Sequence, residues 1–221
     1  MVLLAEIVPD FEADTSLGHI GFHEYIEGSW AILFSHPADY TPVCTTELGE
    51  VGKLQAAFAQ RGVKLLALSC NDVESHKGWI KDIEAYTPDS IVNYPIIADP
   101  HRDIATLYGM LDPDEKDMAG IPLTARAAFV IGPDKRLKLS ILYPATTGRN
   151  FAEILRVVDS LQLTAKHSVA TPVNWKQGDR VMVVPTLSDE QAHAKFPKGF
   201  EKASLPSGKG YIRTTPQPYL R

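Results

Sequence analysis

The chain has 221 residues, 44% of them hydrophobic, and a formal net charge of −5. That length and composition support one substantial core with a smaller appendage. The acidic balance excludes a nucleic-acid or anionic-membrane surface as the main partner, and two lone cysteines, Cys44 and Cys70, exclude a disulfide scaffold.

The N-terminal run Met1-Val2-Leu3-Leu4-Ala5-Glu6 lacks the basic and apolar regions of a signal peptide and reads as a short first strand. No apolar run is long enough to span a bilayer. Ala31 to Phe34 are apolar without alternation, as suits a strand buried on both faces. Thr41 then offers a helix cap and Pro42 a first helical residue, where the missing N–H costs nothing. Leu48, Val51, Leu54 and Phe58 recur at helical spacing until Gly62 stops the helix.

Val63 to Ser69 reads as a strand, Glu74 to Tyr86 as a helix, Tyr94 to Ala98 as a strand and His101 to Tyr108 as a short helix. Two apolar runs, Ala127–Ile131 and Leu137–Leu142, flank Gly132-Pro133-Asp134-Lys135-Arg136, a hairpin signal. Phe151, Ile154, Leu155, Val158 and Leu161 mark an amphipathic helix. The composition shifts near Thr164. Beyond it Pro172, Pro185, Pro197, Pro206, Pro216 and Pro218 interrupt short segments, among them a strand over Arg180–Val184 and a helix over Asp189–Phe196. Strands alternating with helices and ending in a hairpin predict an α/β fold, a mixed sheet flanked by helices. Residues 1–163 form its main domain and 164–221 a Pro-rich arm too small for a core of its own, packing on the main domain or on a partner subunit.

The chemistry gathers at Cys44. It falls in the first turn of the expected helix, where unpaired backbone N–H groups and the helix dipole favour an anion. A thiol so placed loses its proton more readily, and the thiolate is the reactive form. Thr41, three residues earlier, can aim a hydroxyl at the sulfur or at a bound oxygen. Pro37 can wall and dry the loop, and Arg126 can bring fixed positive charge from a distant strand. Such a pocket suits a small polar oxidant, with cysteine oxidation to a sulfenic acid as the first step. Seven scattered histidines and two separated cysteines give no zinc spacing, so neither metal nor cofactor is expected.

Pro37-x-x-x-Thr41-x-x-Cys44 resembles the peroxidatic motif of the peroxiredoxins. The flanking Ser35-His36-Pro37 and Thr45-Thr46-Glu47-Leu48, with Leu68-Ser69-Cys70-Asn71-Asp72 and Thr124-Ala125-Arg126, resemble the one-cysteine class of that family. So do Leu142–Asn150, Ala170–Trp175 and Phe196–Gly199, so that the likeness runs through the tail. The resemblance implies a thioredoxin-like fold and reduction of hydrogen peroxide and of organic, including phospholipid, hydroperoxides. It implies Cys44 as the nucleophile attacking the terminal peroxide oxygen. Arg126 stabilises the thiolate and polarises the O–O bond, Thr41 hydrogen-bonds the peroxide, and Pro37 shields the pocket. By the same resemblance Glu47 orients Arg126, and His36 and Arg149 lie close by. No cysteine follows Cys70, so an external thiol, glutathione by the family's example, recycles Cys44. A cytoplasmic homodimer is implied, its arm reaching toward the partner subunit.

Other readings stand beside this one. Cys70 closes an apolar strand and reads as a packing residue; its rival role is a resolving cysteine. The one-cysteine class has also been assigned a phospholipase A2 activity carried by a serine, a histidine and an aspartate. The matching positions are Ser29, His23 and Asp134, a set capable of acyl transfer in the right geometry. The family's Gly-Asp-Ser-Trp-Gly is here Glu27-Gly28-Ser29-Trp30-Ala31, without the flanking Asp and second Gly. A non-enzymatic redox sensor or holdase is the third reading, since sensor cysteines share the character of catalytic ones.

Overall fold

The computed structural model describes residues 2–219. The chain divides into two compact units, Met1–Phe151 and Ala152–Arg221. In the first, β1 (Glu12–Thr15) and β2 (Gly18–Gly21) form a hairpin that leads into the single-turn α1 (Phe22–Tyr25). Then follow β3 (Trp30–Ser35), α2 (Pro42–Gln60), β4 (Val63–Ser69), α3 (Val73–Tyr86), β5 (Ile96–Ala98) and α4 (Asp103–Tyr108). Next come a small separate hairpin, β6 (Leu111–Lys116) and β7 (Pro122–Thr124), and a long one, β8 (Arg126–Ile131) and β9 (Leu137–Tyr143). The helix α5, Phe151–Lys166, follows and belongs to the second unit from Ala152 onward.

Seven strands form one mixed sheet in the order β2-β1-β5-β4-β3-β8-β9. β3, β4 and β5 run parallel at its centre, and β8 joins β3 antiparallel. The expected two-sided burial of Ala31–Phe34 is present. Leu33 enters a cluster with Phe22, Ile104, Ala105 and Tyr108 on one face. Phe34, one residue on and therefore on the opposite face, meets Tyr94 and Phe151. Burying a side chain of that size contributes about 1.5–3 kcal/mol.

Several local expectations differ from the structure. The N-terminal run forms no strand among its described residues. The Glu6 carboxylate accepts from Leu3 N–H and Ala5 takes a positive φ of 70°, so the chain turns there. Residues 5–7 instead pair briefly with Arg136 and Leu137. Thr41 occupies the cap position of α2, but its hydroxyl donates to Ala38 O (2.8 Å) and makes no cap bond. Pro42 opens the helix as expected, and the chain leaves it at Gly62, whose φ of 65° suits glycine.

The second unit holds β10 (Val169–Ala170), β11 (Val181–Val183), α6 (Asp189–Lys195), β12 (Glu201–Lys202) and β13 (Arg213–Thr215), with the sheet order β10-β11-β13-β12. It does have a buried cluster of its own, where the sequence offered none: Leu163, Val169, Trp175, Val181, Val183, Ala192 and Phe196. The reason is that α5 supplies an apolar face and Trp175 fills the centre, fully buried. Ser188 starts α6 with a reciprocal cap shared with Gln191.

Candidate active site

β3 delivers the chain into the loop His36–Thr41, and α2 begins at Pro42, which places Cys44 at the third residue of the helix. Its sulfur faces inward and the residue is fully buried. β8 is the antiparallel neighbour of β3, so its first residue, Arg126, arrives beside the same helix end. Arg126 Nη1 lies 3.3 Å from Cys44 Sγ and donates also to Glu47 Oε2 at 2.8 Å. Nε and Nη2 both donate to Ala145 O (2.9 and 2.6 Å), which fixes the plane of the guanidinium.

Glu47, one turn after Cys44, ties two arginines together. Its carboxylate accepts from Arg149 N, Nε and Nη2 (2.7, 2.9 and 2.7 Å) as well as from Arg126. All three residues are buried. Burial alone raises a carboxyl, yet hydrogen bonds and charge from Arg149, with the charge of Arg126, outweigh it and hold Glu47 below its ordinary value. Arg149 also donates to Ala127 O (2.5 Å), with its guanidinium carbon 5.5 Å from the ring of Phe34 and 5.4 Å from that of Phe151.

On the other side of the loop His36 is buried and donates from Nε2 to Asp39 Oδ1 (2.8 Å). Burial pushes its imidazole below the ordinary value against the opposing pull of Asp39. Its Nδ1 has no hydrogen-bond partner among the described residues. The sequence reasoning missed the rest of this group. Asp39 Oδ2 accepts from His76 Nδ1 (2.7 Å) and Ser75 Oγ (2.8 Å), both on α3. Burial raises the Asp39 carboxyl, but the two histidines override it and hold it well below the usual range. The one available signal was an acidic residue three positions after a histidine in a Pro-bounded loop. Trp79 was also missed: its indole stands 5.0 Å from His36 and donates to Thr45 Oγ1 (3.1 Å). Thr45 Oγ1 in turn donates to Thr41 O (2.8 Å), closing the first turn of α2.

The structure thus brings Cys44, Arg126, Glu47 and Arg149 into one hydrogen-bonded group, with Pro37, His36 and half-buried Thr41 in the adjoining loop. Ser29, His23 and Asp134 are a different case. The Ser29 hydroxyl donates to Glu27 O (3.4 Å), His23 Nε2 bonds Val8 O (2.8 Å), and Asp134 accepts from Lys138 (2.6 Å). No hydrogen bond joins the three to one another among the described residues. Cys70 is a free, buried thiol, pushed up to about 11 by burial, as fits a packing residue. Among the described residues no helix is long and apolar enough to cross a membrane.

Residues 4–140 match the AhpC/TSA family, and residues 160–199 match the C-terminal domain of 1-Cys peroxiredoxin. The chain is 62% identical to peroxiredoxin-6 of Rattus norvegicus and 61% identical to that of Homo sapiens, each over 220 residues covering 98% of both chains. It superposes on a Cys-to-Ser mutant of the peroxiredoxin 6 of Arenicola marina with a TM-score of 0.96 at 57% identity, covering 99% of both chains. It also superposes on a yeast mitochondrial 1-Cys peroxiredoxin with a TM-score of 0.87 at 43% identity, covering 98% of this chain and 100% of that one. The mixed sheet with flanking helices is the thioredoxin-like peroxiredoxin fold, and the chain belongs to the one-cysteine peroxiredoxins, which are thiol-dependent peroxidases.

Proposed function

We propose that Cys44 is the peroxidatic nucleophile and that Arg126 is the group that activates it. The observation that carries this reading is the single nitrogen, Arg126 Nη1, held by Glu47 and placed 3.3 Å from the sulfur. In the first step the Cys44 thiolate attacks the terminal oxygen of a hydroperoxide. The S–O bond forms as the O–O bond breaks, and the leaving oxygen departs as water or an alcohol after taking a proton. Arg126 donates to the charge that moves from sulfur onto oxygen, a fixed donor that needs no rearrangement. Thr41 Oγ1 donates to Ala38 O and keeps lone pairs that can accept from the peroxide O–H. Pro37, buried in the loop, keeps the pocket dry. Glu47 and Arg149 position Arg126, and His36, with its unpartnered Nδ1, borders the site.

The second half-reaction uses an external thiol. It attacks the sulfenic sulfur, releases water and leaves a mixed disulfide; a second thiol restores Cys44 and departs as a disulfide. The yeast 1-Cys relative resolves its thiol through glutathione/thioredoxin systems, which supports glutathione as the reductant here. Hydrogen peroxide and organic hydroperoxides are the substrates. In this reading residues 1–163 form the peroxidase domain of a cytoplasmic homodimer, and 164–221 form an arm that reaches the partner subunit. Sedimentation of the full chain and of a chain ending at 163 tests the arm: the shorter chain sediments as monomer if the arm holds the dimer.

Steady-state consumption of hydrogen peroxide with glutathione tests the chemistry. Wild-type protein turns over repeatedly and Cys44→Ser does not. Thiol-dependent turnover that persists in Cys44→Ser refutes the assignment.

A further inference from the structure

A cavity of about 450 Å³ lies beside the first turn of α2, between that turn and one stripe of α3. Thr41 and Val43 form one wall. Trp79, Asp82 and Tyr86 form the other, spaced three and four apart and so on one helix face. Tyr40 closes the rim. The volume is in the range of small-molecule sites. Two of its aromatic side chains are open to solvent, Tyr40 at 56% and Tyr86 at 67% relative exposure, although exposed rings of this size gain from being covered.

The wall chemistry selects the occupant. Trp79 N–H is already spent on Thr45. The hydroxyls of Thr45 and Thr46, which also line the cavity, donate to the backbone carbonyls of Thr41 and Val43. The lining therefore presents rings, the tyrosine hydroxyls, methyl groups and threonine hydroxyls that already donate to backbone carbonyls, with Asp82 as its one formal charge. A peptide thiol carrying free carboxylates meets repulsion there and no cation to pair with. A neutral aryl or alkyl group meets a matching surface. The cavity abuts the reactive end of α2: Thr41, Pro42, Val43 and Thr45 of that first turn line it, although the buried Cys44 between them does not.

We infer that this cavity holds the organic group of a hydroperoxide while its O–O bond lies at Cys44, and that Tyr86 is a specificity-determining residue of the enzyme. The inference rests on the peroxidase reading above and adds where the substrate's non-reacting part lies. Hydrogen peroxide has no such part and leaves the cavity empty.

The test compares kcat/KM for cumene hydroperoxide, the aryl probe, with kcat/KM for hydrogen peroxide in the full-length protein, using Tyr86→Ala and Tyr86→Phe. Tyr86 sits at the exposed C-terminal end of α3, so its truncation leaves the core intact. A lost apolar contact of this kind reduces discrimination by about tenfold or more. The ratio of the two constants is expected to fall about that much in Tyr86→Ala and to hold in Tyr86→Phe, which keeps the ring. An unchanged ratio in Tyr86→Ala overturns the inference alone. Wild-type protein inert toward both peroxides overturns the peroxidase reading and this inference with it.

Discussion

Glu47 and Arg126 meet through a 2.8 Å bond between buried groups, and the nitrogen that makes it is the one that reaches the sulfur of Cys44. Glu47 is on α2 three residues beyond the cysteine, and Arg126 opens a strand that pairs with the strand before it. The sheet register therefore sets the distance between cation and sulfur, and the carboxylate holds it there.

Arg126→Lys tests the value of that planar fork. Lysine keeps the charge but cannot hold Ala145 O, Glu47 and the sulfur at once. Losing one preorganised donor costs about 10²–10³ in rate, so the second-order rate constant for hydrogen peroxide, read by stopped flow, should fall by that order. A rate within a few-fold of wild type contradicts the role given to Arg126.

Glu47→Gln leaves two buried guanidiniums sharing a neutral amide. Removing one partner of a buried ion pair typically costs about 3–5 kcal/mol, and the urea midpoint should drop accordingly. The double variant Glu47→Gln, Arg149→Met should recover part of that loss, because one uncompensated charge leaves with the carboxylate. Equal instability of the single and double variants removes the pairing as the cause.

Acid should destabilise the fold in a defined direction. Glu47 and Asp39 are held below their ordinary values of 4.5 and 3.8, and His36 below 6.5. For each, the unfolded chain binds more protons in acid than the folded one. The stability each contributes is complete above its ordinary value and is lost as the pH falls through the lowered folded value. Urea midpoints should hold above the ordinary value of His36 and decline progressively below it, most steeply once the carboxylates titrate. Asp39→Asn should flatten the acid limb. A midpoint that rises on acidification contradicts the account.

Trp79→Phe removes the N–H that bonds Thr45 in the first turn of α2. A neutral hydrogen bond contributes about 0.5–1.5 kcal/mol, so global stability should change by no more than that. Hydrogen exchange at the Thr45 amide, which donates to Thr41 O, should accelerate more than exchange in β3. Uniform acceleration throughout the unit argues against a local latch.

The main elements of this fold were legible because their signals are local. Pro42 opening a helix, Gly62 ending it and the Gly132–Arg136 turn each act within a few residues. β6 and β7 were not legible. Leu111–Lys116 is charged and carries a proline, and its connection is held partly by Asp117, which accepts from Ala119 N and Ile121 N, and partly from a distance by Arg102, which donates to Asp117 (2.6 Å) and Pro122 O (3.3 Å). The same division applies to the site. Cys44 and Thr41 stood out from their place at a helix start and Arg126 as a cation opening a distant apolar strand, whereas Glu47 and Arg149 came from a family likeness. Asp39, His76 and Trp79 escaped notice because their importance lies in contacts across more than 30 residues, which neither spacing nor periodicity records. Thr41 marks the limit of local reading: its position was right, while its hydroxyl turns to Ala38 and not to the helix.

The central claim is that Cys44 is the atom oxidised by peroxide and that it needs no second cysteine. Intact mass of the wild type, Cys44→Ser and Cys70→Ser after one equivalent of hydrogen peroxide, then glutathione, tests it most directly. The account predicts one added oxygen in the wild type and in Cys70→Ser, none in Cys44→Ser, and its removal or replacement by a glutathione adduct on addition of the thiol. An oxygen adduct that persists in Cys44→Ser, or an internal disulfide between Cys44 and Cys70 in the wild type, contradicts it.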